Sequence, residues 1–540
     1  MVVTAHPEAS KAGLAMLEKG GSAIDAMIAA QLVLGLVEPQ SSGIGGGAFL
    51  LVHDGASGRL VTYDGRETAP MAASGDLFIG EDGEAMKFFD AVIGGRSVGT
   101  PGTVALLAAA HRKHGRLPWA ELFEPAIELA DKGFAVTERF NALVAANAES
   151  LARFEATRKY FLSEEGVPIF PGTVLRNPAY ADTLRAIAKD GEKAFYSGPI
   201  AEDIVKTIQA AEGNPGLLSL DDLAAYQVKE REPVCFDYRD AKICGMGPPS
   251  SGALTIGQIL GMVENRDMAA LGADNPESWR LIGEASRLAF ADRGRYMADS
   301  DFVDMPAGLL NRSYLAGRAK LLSGGSDGGP VLTQNDVQPG MPPDDRTLLY
   351  ADDQALELPS TSHLAIVDRF GTVVSMTTTI ENAYGSRLMV RGFLLNNELT
   401  DFSFVPEVAG RPVANRVEPG KRPRSSMAPT IVYRGGKPWL AIGSPGGSRI
   451  IGYVAKTLIA MIDWKMDIQQ AVGLPHLVNR FGTYDVEEGT TAEALAPALS
   501  EYGYRVEAKN LNSGLHGIMI GENGLAGGAD PRREGVALGN

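Results

Sequence analysis

Apolar positions early in the chain recur with helical spacing, then give way to short alternating runs. Helices are predicted over 7–19 and 22–37, the second starting after Gly20-Gly21 with Ser22 as its N-cap. Strands Ala48–His53 and Leu60–Tyr63 follow. Helical pattern returns near 103–114, 119–132, 180–190, 198–212, 253–264 and 276–297. After residue 360 the pattern is strand-rich, with later helices near 450–463 and 467–473. This mixing predicts an α/β (α+β) fold without internal repeats. Residues 324–345, crowded with Gly, Pro and Asp, read as a mobile surface stretch.

Two runs rich in Val, Ile and Thr, 361–368 and 373–379, flank Arg369-Phe-Gly-Thr372 and read as a β-hairpin. If it turns about Phe370, Thr361 faces Thr379, and Thr377 shares a strand face with Thr379. By itself the hairpin is explained by the β-propensity of threonine. The polar clusters that follow point to chemistry: Ser375-Met-Thr-Thr-Thr-Ile-Glu-Asn382, Leu394-Leu-Asn-Asn-Glu-Leu-Thr-Asp401, Arg422-Pro-Arg-Ser-Ser-Met427 and Gly443-Ser-Pro-Gly-Gly-Ser448. A hydroxyl heading a strand, with hydroxyls, carboxylates and paired glycines downstream, suits a nucleophile that becomes a new chain start. Its freed α-amine, titrating near pH ~8, then serves as base.

These clusters, together with Gly20-Gly-Ser-Ala-Ile-Asp-Ala26, Pro39-Gln-Ser-Ser-Gly-Ile-Gly-Gly-Gly47, Asp64-Gly-Arg-Glu-Thr-Ala-Pro70, Gly99-Thr-Pro-Gly-Thr-Val104, Pro248-Pro-Ser-Ser-Gly252 and Ala291-Asp-Arg293, resemble the gamma-glutamyltranspeptidases over essentially the whole chain. The resemblance implies a four-layer αββα N-terminal-nucleophile hydrolase sandwich built from two chain pieces. It also implies self-cleavage between Ser360 and Thr361, giving a large subunit 1–360, with a mobile tail of about 324–360, and a small subunit 361–540. The implied activity is transfer of a γ-glutamyl group from glutathione or a related donor to water, an amino acid or a peptide. A glutaryl or cephalosporin-type acylase on the same fold and a catalytically silent ligand-binding homologue are the alternatives.

Roles follow position by position from the same resemblance. Thr361 is the nucleophile, Thr379 orients it, and the N–H groups of Gly446 and Gly447 form the oxyanion hole. Arg66, Ser425 and Ser426 match residues that hold the donor's α-carboxylate; Glu398 and Asp401 match those that hold its α-ammonium. Two positions depart from the family. Glu381 stands where asparagine is usual and Arg424 where leucine is usual, and the expectation is that they pair as ions at the pocket wall. The connection 402–424 is shorter than in relatives with a lid and lacks tyrosine, which favours water as acceptor.

Composition narrows the classes further. A net charge of −16 and a pI near 5.1 argue against nucleic-acid binding. The apolar run 26–37 is too short to span a bilayer. Length alone would suggest about three or four domains, a prior that the family fold overrides. No cofactor and no metal are expected. Gly43-Ile-Gly-Gly-Gly-Ala48 follows a helix and precedes a strand, the reverse of a dinucleotide fingerprint, and reads as a glycine turn beside the site. His111 and His114 read as complementing a helix C-terminus, and His363 as strand packing. Cys235 and Cys244, on a strand–turn–strand, read as core thiols. With a start, Met1-Val-Val-Thr-Ala-His-Pro-Glu, that lacks a signal peptide's basic head and apolar core, they favour the cytoplasm. A periplasmic or secreted location would follow if a signal had been removed.

Overall fold

Two stacked antiparallel sheets organise the protein. The structure, a computed structural model, describes residues 1–323, 332–333, 335–343, 350–353, 355 and 357–539. The first sheet runs Val536–Leu538, Val2–Thr4, Ser362–Val367, Val373–Thr379, Gly47–His53, Leu60–Gly65 and Lys229–Arg231. The second runs Gly524–Ala529, His516–Gly521, Lys437–Gly443, Thr430–Arg434, Ala241–Gly245 and Val234–Tyr238.

The layering follows from alternation along the strands. Leu50, Leu364, Ile366 and Met376 pack under an outer layer that includes helices Pro7–Glu18 and Ala23–Val37. Phe49, Leu51, Ala365 and Val373 point the other way, onto Ile431, Ala441 and Ile518 of the second sheet. Helices Gly252–Val263, Pro276–Tyr296 and Ile450–Ile462 cover that sheet's far face. The result is an αββα sandwich of α+β class. Residues from both sides of position 360 interleave in both sheets, so neither piece could bury its faces alone.

The predicted elements form with small shifts of boundary. Ser22 caps Ala23–Val37 through a capping box with Asp25. The expected helix over 119–132 is a 3-10 segment, Trp119–Phe123, followed by an α-helix, Glu124–Lys132, whose early Pro125 suits a fresh first turn. No helix among the described residues is long and apolar enough to cross a membrane.

Two expectations change. Cys235 and Cys244 are not separate thiols: they stand directly opposite in the ladder of Val234–Tyr238 and Ala241–Gly245 and form a disulfide. The stretch 324–345 is only partly described, with 324–331, 334 and 344–345 outside the described residues. Its described part is tied down: the Gly340 carbonyl accepts from Tyr296, its N–H donates to Asp292, and the Leu332 carbonyl accepts from Arg287.

The glycine turn before Gly47–His53 sits against the hairpin that carries Thr379. A Cβ added at Gly46 would lie 2.0 Å from the Thr379 carbonyl oxygen, and one at Gly45 2.1 Å from that of Leu394. These glycines permit the close backbone approach that fixes the end of the Val373–Thr379 strand. Gly46→Ala is expected to destabilise the protein by about 2 kcal/mol or more, measured as a lowered thermal midpoint.

Candidate active site

The hairpin register puts the two threonines together. Val367 pairs with Val373 and Ser362 with Thr378, so Thr361 falls beside Thr379, their Oγ1 atoms 3.1 Å apart. Thr379 Oγ1 also accepts the Glu381 N–H at 2.9 Å. It is therefore held from its own strand end while it touches the Thr361 hydroxyl. Thr361 is buried, and its φ of 91° is a strained value for a β-branched residue. That torsion is defined by the Ser360 carbonyl carbon, so cutting the 360–361 bond abolishes it.

The 360–361 peptide bond is polarised. The Ser360 carbonyl oxygen accepts the Gly446 N–H at 3.0 Å, and the Ser360 hydroxyl donates to the Gln40 carbonyl at 2.9 Å. Gly446 and Gly447 have φ values of 137° and 58°, and they open a 3-10 turn that leads into helix Ile450–Ile462. The donor thus lies at the positive end of a helix. A Cβ on Gly447 would meet the carbonyl oxygens of Leu358 and Glu357 within 2.8 Å, so this residue too must be small.

One pocket gathers Thr361, Thr379, Gly447, Arg66, Glu381, Glu398, Asp401, Ser425 and Ser426, with Gly446 donating at its edge to Ser360. All ten sequence-predicted residues therefore converge. The pocket is filled from within, because Glu357 and Leu358 enter it and leave about 20 Å³, room for a single water.

Arg66 ion-pairs with Glu398 and Asp401 and donates to the carbonyls of Pro423, at 3.1 Å, and Arg424, at 2.9 Å. Ser426 donates to Glu357 at 2.5 Å and accepts from Arg293 at 2.8 Å; the Ser425 hydroxyl accepts the Met427 N–H at 3.1 Å. The expected Glu381–Arg424 pair does not form. Arg424 instead binds Asp353 at 2.7 Å, with Glu357 4.0 Å away, while Glu381 accepts from the Asn397 side-chain amide. Asp353 and Glu357 reach Arg424 from the segment just before Ser360.

Sequence reading missed four participants. Arg533 donates to the Thr361 carbonyl at 3.0 Å and to Glu38 at 3.1 Å, clamping the backbone at Thr361. Nothing in Pro531-Arg-Arg-Glu534 signals a contact so far along the chain. Glu38, a charge ending an apolar helix, was a visible anomaly. Arg293 and Glu357 meet as a buried ion pair. His111 and His114 do flank the helix end at Gly115, and their rings bond the Leu117 carbonyl and the Tyr63 hydroxyl. His363 bonds Thr377 at 2.9 Å, and burial pushes its pKa well down, so it packs as a neutral ring.

Electrostatically the pocket has an acidic wall. Burial, then the charge of Asp401, drives the Glu381 carboxyl well above the usual range. Burial raises Glu398 and Asp401 likewise, against the pull of Arg66, and Glu67 is pushed up to about 7. Glu67, Glu398 and Asp401 share the Arg66 guanidinium, and Glu381 feels the charge of Arg387, so four carboxyls face two guanidiniums, a deficit that a cation would relieve. A carboxyl whose pKa is higher folded than unfolded stabilises the protein below its unfolded pKa and loses that contribution as pH rises through the folded one. The uncut protein should therefore lose stability as pH climbs from the usual glutamate range through neutrality. Glu381→Gln, which can still accept from Asn397, should flatten that slope and gain about 1 kcal/mol or more at pH ~8, read from thermal melts across pH.

Comparison with known proteins agrees with this geometry. The gamma-glutamyltranspeptidase family profile matches residues 9–540. The chain is 36% identical to the glutathione hydrolase proenzyme of Bacillus subtilis (strain 168), over 100% of this chain and 91% of that protein. The crystal structure of cephalosporin acylase from Bacillus halodurans superposes with a TM-score of 0.85 at 26% identity, covering 99% of this chain and 94% of that one. A chain of Helicobacter pylori gamma-glutamyltranspeptidase gives 0.60 at 35% identity, covering 63% of this chain and 95% of its own. The protein belongs to the gamma-glutamyltranspeptidase family.

Proposed function

We propose that the protein is a self-cleaving γ-glutamyl acyltransferase and hydrolase in which one set of groups serves both reactions. The observation that carries this is the Gly446 N–H on the Ser360 carbonyl, with the Thr361 hydroxyl held against Thr379 one bond away. In the first reaction Thr361 Oγ1 attacks the Ser360 carbonyl carbon, and negative charge builds on the oxygen that Gly446 already faces. The C–N bond breaks, its nitrogen takes the hydroxyl proton and becomes the Thr361 α-amine, and Ser360 is left as an ester. Water opens that ester, giving a free carboxylate at 360 and a free hydroxyl at 361.

In the second reaction the freed amine accepts the Thr361 proton as the hydroxyl attacks the donor's γ-amide. The tetrahedral oxygen takes the place of the Ser360 oxygen, and the leaving amine departs with a proton. The resulting glutamyl ester passes to water or to an amino acid or peptide amine. The acidic wall of Glu381, Glu398 and Asp401 favours a donor with an α-ammonium, which supports glutathione and other γ-glutamyl amides.

The full-length likeness to a cephalosporin acylase favours a second reading, an acylase for glutaryl-type side chains. Such a donor brings no cation to the carboxyl cluster. Intact mass should show conversion of the 57.1 kDa chain into pieces of 360 and 540 − 360 = 180 residues. Thr361→Ala should stay whole and inactive. With processed enzyme, γ-glutamyl-p-nitroanilide should exceed glutaryl-p-nitroanilide in kcat/KM by about 10-fold or more, as expected for a charge-assisted contact; equal turnover selects the acylase.

A further inference from the structure

Thr361 rests on a buried knot of charge that lies outside the pocket. Arg533 donates from Nη1 to the Thr361 carbonyl at 3.0 Å and to Glu38 at 3.1 Å, and from Nε to the Ser513 carbonyl at 2.7 Å. Its acceptors belong to three separate parts of the chain, so the guanidinium has little freedom to turn. Glu38, 1% exposed, also meets Arg139 Nε at 3.4 Å and accepts from the Ser362 hydroxyl at 3.3 Å. Two guanidiniums therefore share one carboxylate directly beneath Thr361. Asp530, the next acid along, is taken by Arg532 at 3.0 Å and by the Ser513 hydroxyl.

The charges hold at neutral pH. Burial pushes Arg533 down, to about 10, which leaves it cationic. Burial pushes the Glu38 carboxyl up, but the charges of Arg533 and Arg139 outweigh it and keep the group below the usual carboxylate range. His6 faces Glu38, and His363 and His516 lie in the strands around Thr361; burial lowers all three, so they are neutral rings. From the pocket side Thr361 shares its cavity with Arg66, Glu357, Glu381, Glu398 and Asp401.

Once the 360–361 bond is cut, the Thr361 amine lies two bonds from the carbonyl carbon that Arg533 holds, so the guanidinium is within roughly 7 Å of it. The proposed mechanism needs this amine uncharged, yet an ordinary α-amine, titrating at about 8, is mostly protonated at neutral pH. Ionised carboxylates on the pocket side would hold it protonated still longer, and a fixed cation beneath opposes them. We propose that Arg533 is a positioning residue for the freed Thr361 amine: it fixes the residue through its carbonyl and, with Glu38 as a partial counter-charge, keeps the amine in its neutral, proton-accepting form.

This assignment rests on the self-cleavage reading above, and the test keeps the two apart. Processed wild type, Arg533→Gln, Arg533→Lys and Glu38→Gln, each verified by intact mass, are reductively methylated across a range of pH, and the Thr361 amine is followed by peptide mass. Glu67 titrates at about 7 behind Arg66, so the amine is read directly and not from rates alone. The wild-type midpoint should lie below the ordinary value. Arg533→Gln should raise it by about one pH unit, Glu38→Gln should lower it, and Arg533→Lys should stay near wild type. The acid limb of kcat/KM for γ-glutamyl-p-nitroanilide should move with the same signs, with kcat of the Gln variant at pH ~7 down about 10-fold and KM little changed.

Opposite shifts from removing the cation and removing its partner are what a packing role alone would not produce. A midpoint that both substitutions leave in place, or move in one direction, overturns the proposal while cleavage and activity stand. Should Arg533→Gln fail to fold or to cleave, Glu38→Gln against wild type carries the sign and Arg533→Lys the rescue. A chain that never cleaves removes the self-cleavage reading and this proposal with it. A cleaved chain that shows the opposite shifts yet hydrolyses no γ-glutamyl amide keeps the role of Arg533 and loses the proposed activity.

Discussion

The register of one hairpin governs the site. Ser362–Val367 and Val373–Thr379 pair in the middle of the first sheet, flanked by Val2–Thr4 and Gly47–His53. A slip of one residue would turn every side chain of the strand to the opposite face. Leu364 and Ile366 would then leave the helical layer, and Ala365 would leave the inter-sheet core. The hydrophobic cost of that exchange, spread over both faces, fixes the position of Thr361 opposite Thr379 more firmly than their single hydrogen bond could. Position in the sheet thus comes from apolar packing, and the chemistry inherits it.

Around this fixed point the pocket is rich in carboxyls. Glu398 and Asp401 pair with Arg66, while Glu381 is held by the Asn397 side-chain amide. Arg293 and Arg424, outside the pocket lining, pair with Glu357 and Asp353 from the segment before Ser360. Glu381 and Arg424, which looked like mutual compensation in the sequence, each take other partners.

Much of the fold was legible because its signals are local. The capping box at Ser22, the helix Thr103–His114 and the hairpin about Phe370 each rest on neighbouring residues. The ten pocket residues were legible through resemblance, and no local pattern would have joined Arg66 to Ser426. What stayed hidden is long-range or self-referential. Arg533 reaches Thr361 across 172 positions, whereas Cys235 and Cys244, nine apart, meet because the ladder register sets them directly opposite. Glu357 and Asp353 stayed hidden because they lie in the stretch read as a mobile tail, whose side chains carry no local signal for the buried ion pairs they make.

On the proposed self-cleavage, the uncut chain directs the reaction at its own backbone first. The Ser360 carbonyl accepts from Gly446, Glu357 enters the pocket, and Thr361 is held at a φ of 91° that exists only while the bond is intact. Strain of this kind costs about 1–3 kcal/mol, and it is released by breaking that peptide bond and no other. The tail is therefore bound in the manner of a substrate, in the site where the hydroxyl has no second target. Release of strain favours cleavage, and loss of the covalent tether turns the tail's contacts in the pocket into ones that compete with free ligand. Self-processing and substrate admission are then consecutive consequences of one geometry, with the same glycine N–H serving each in turn.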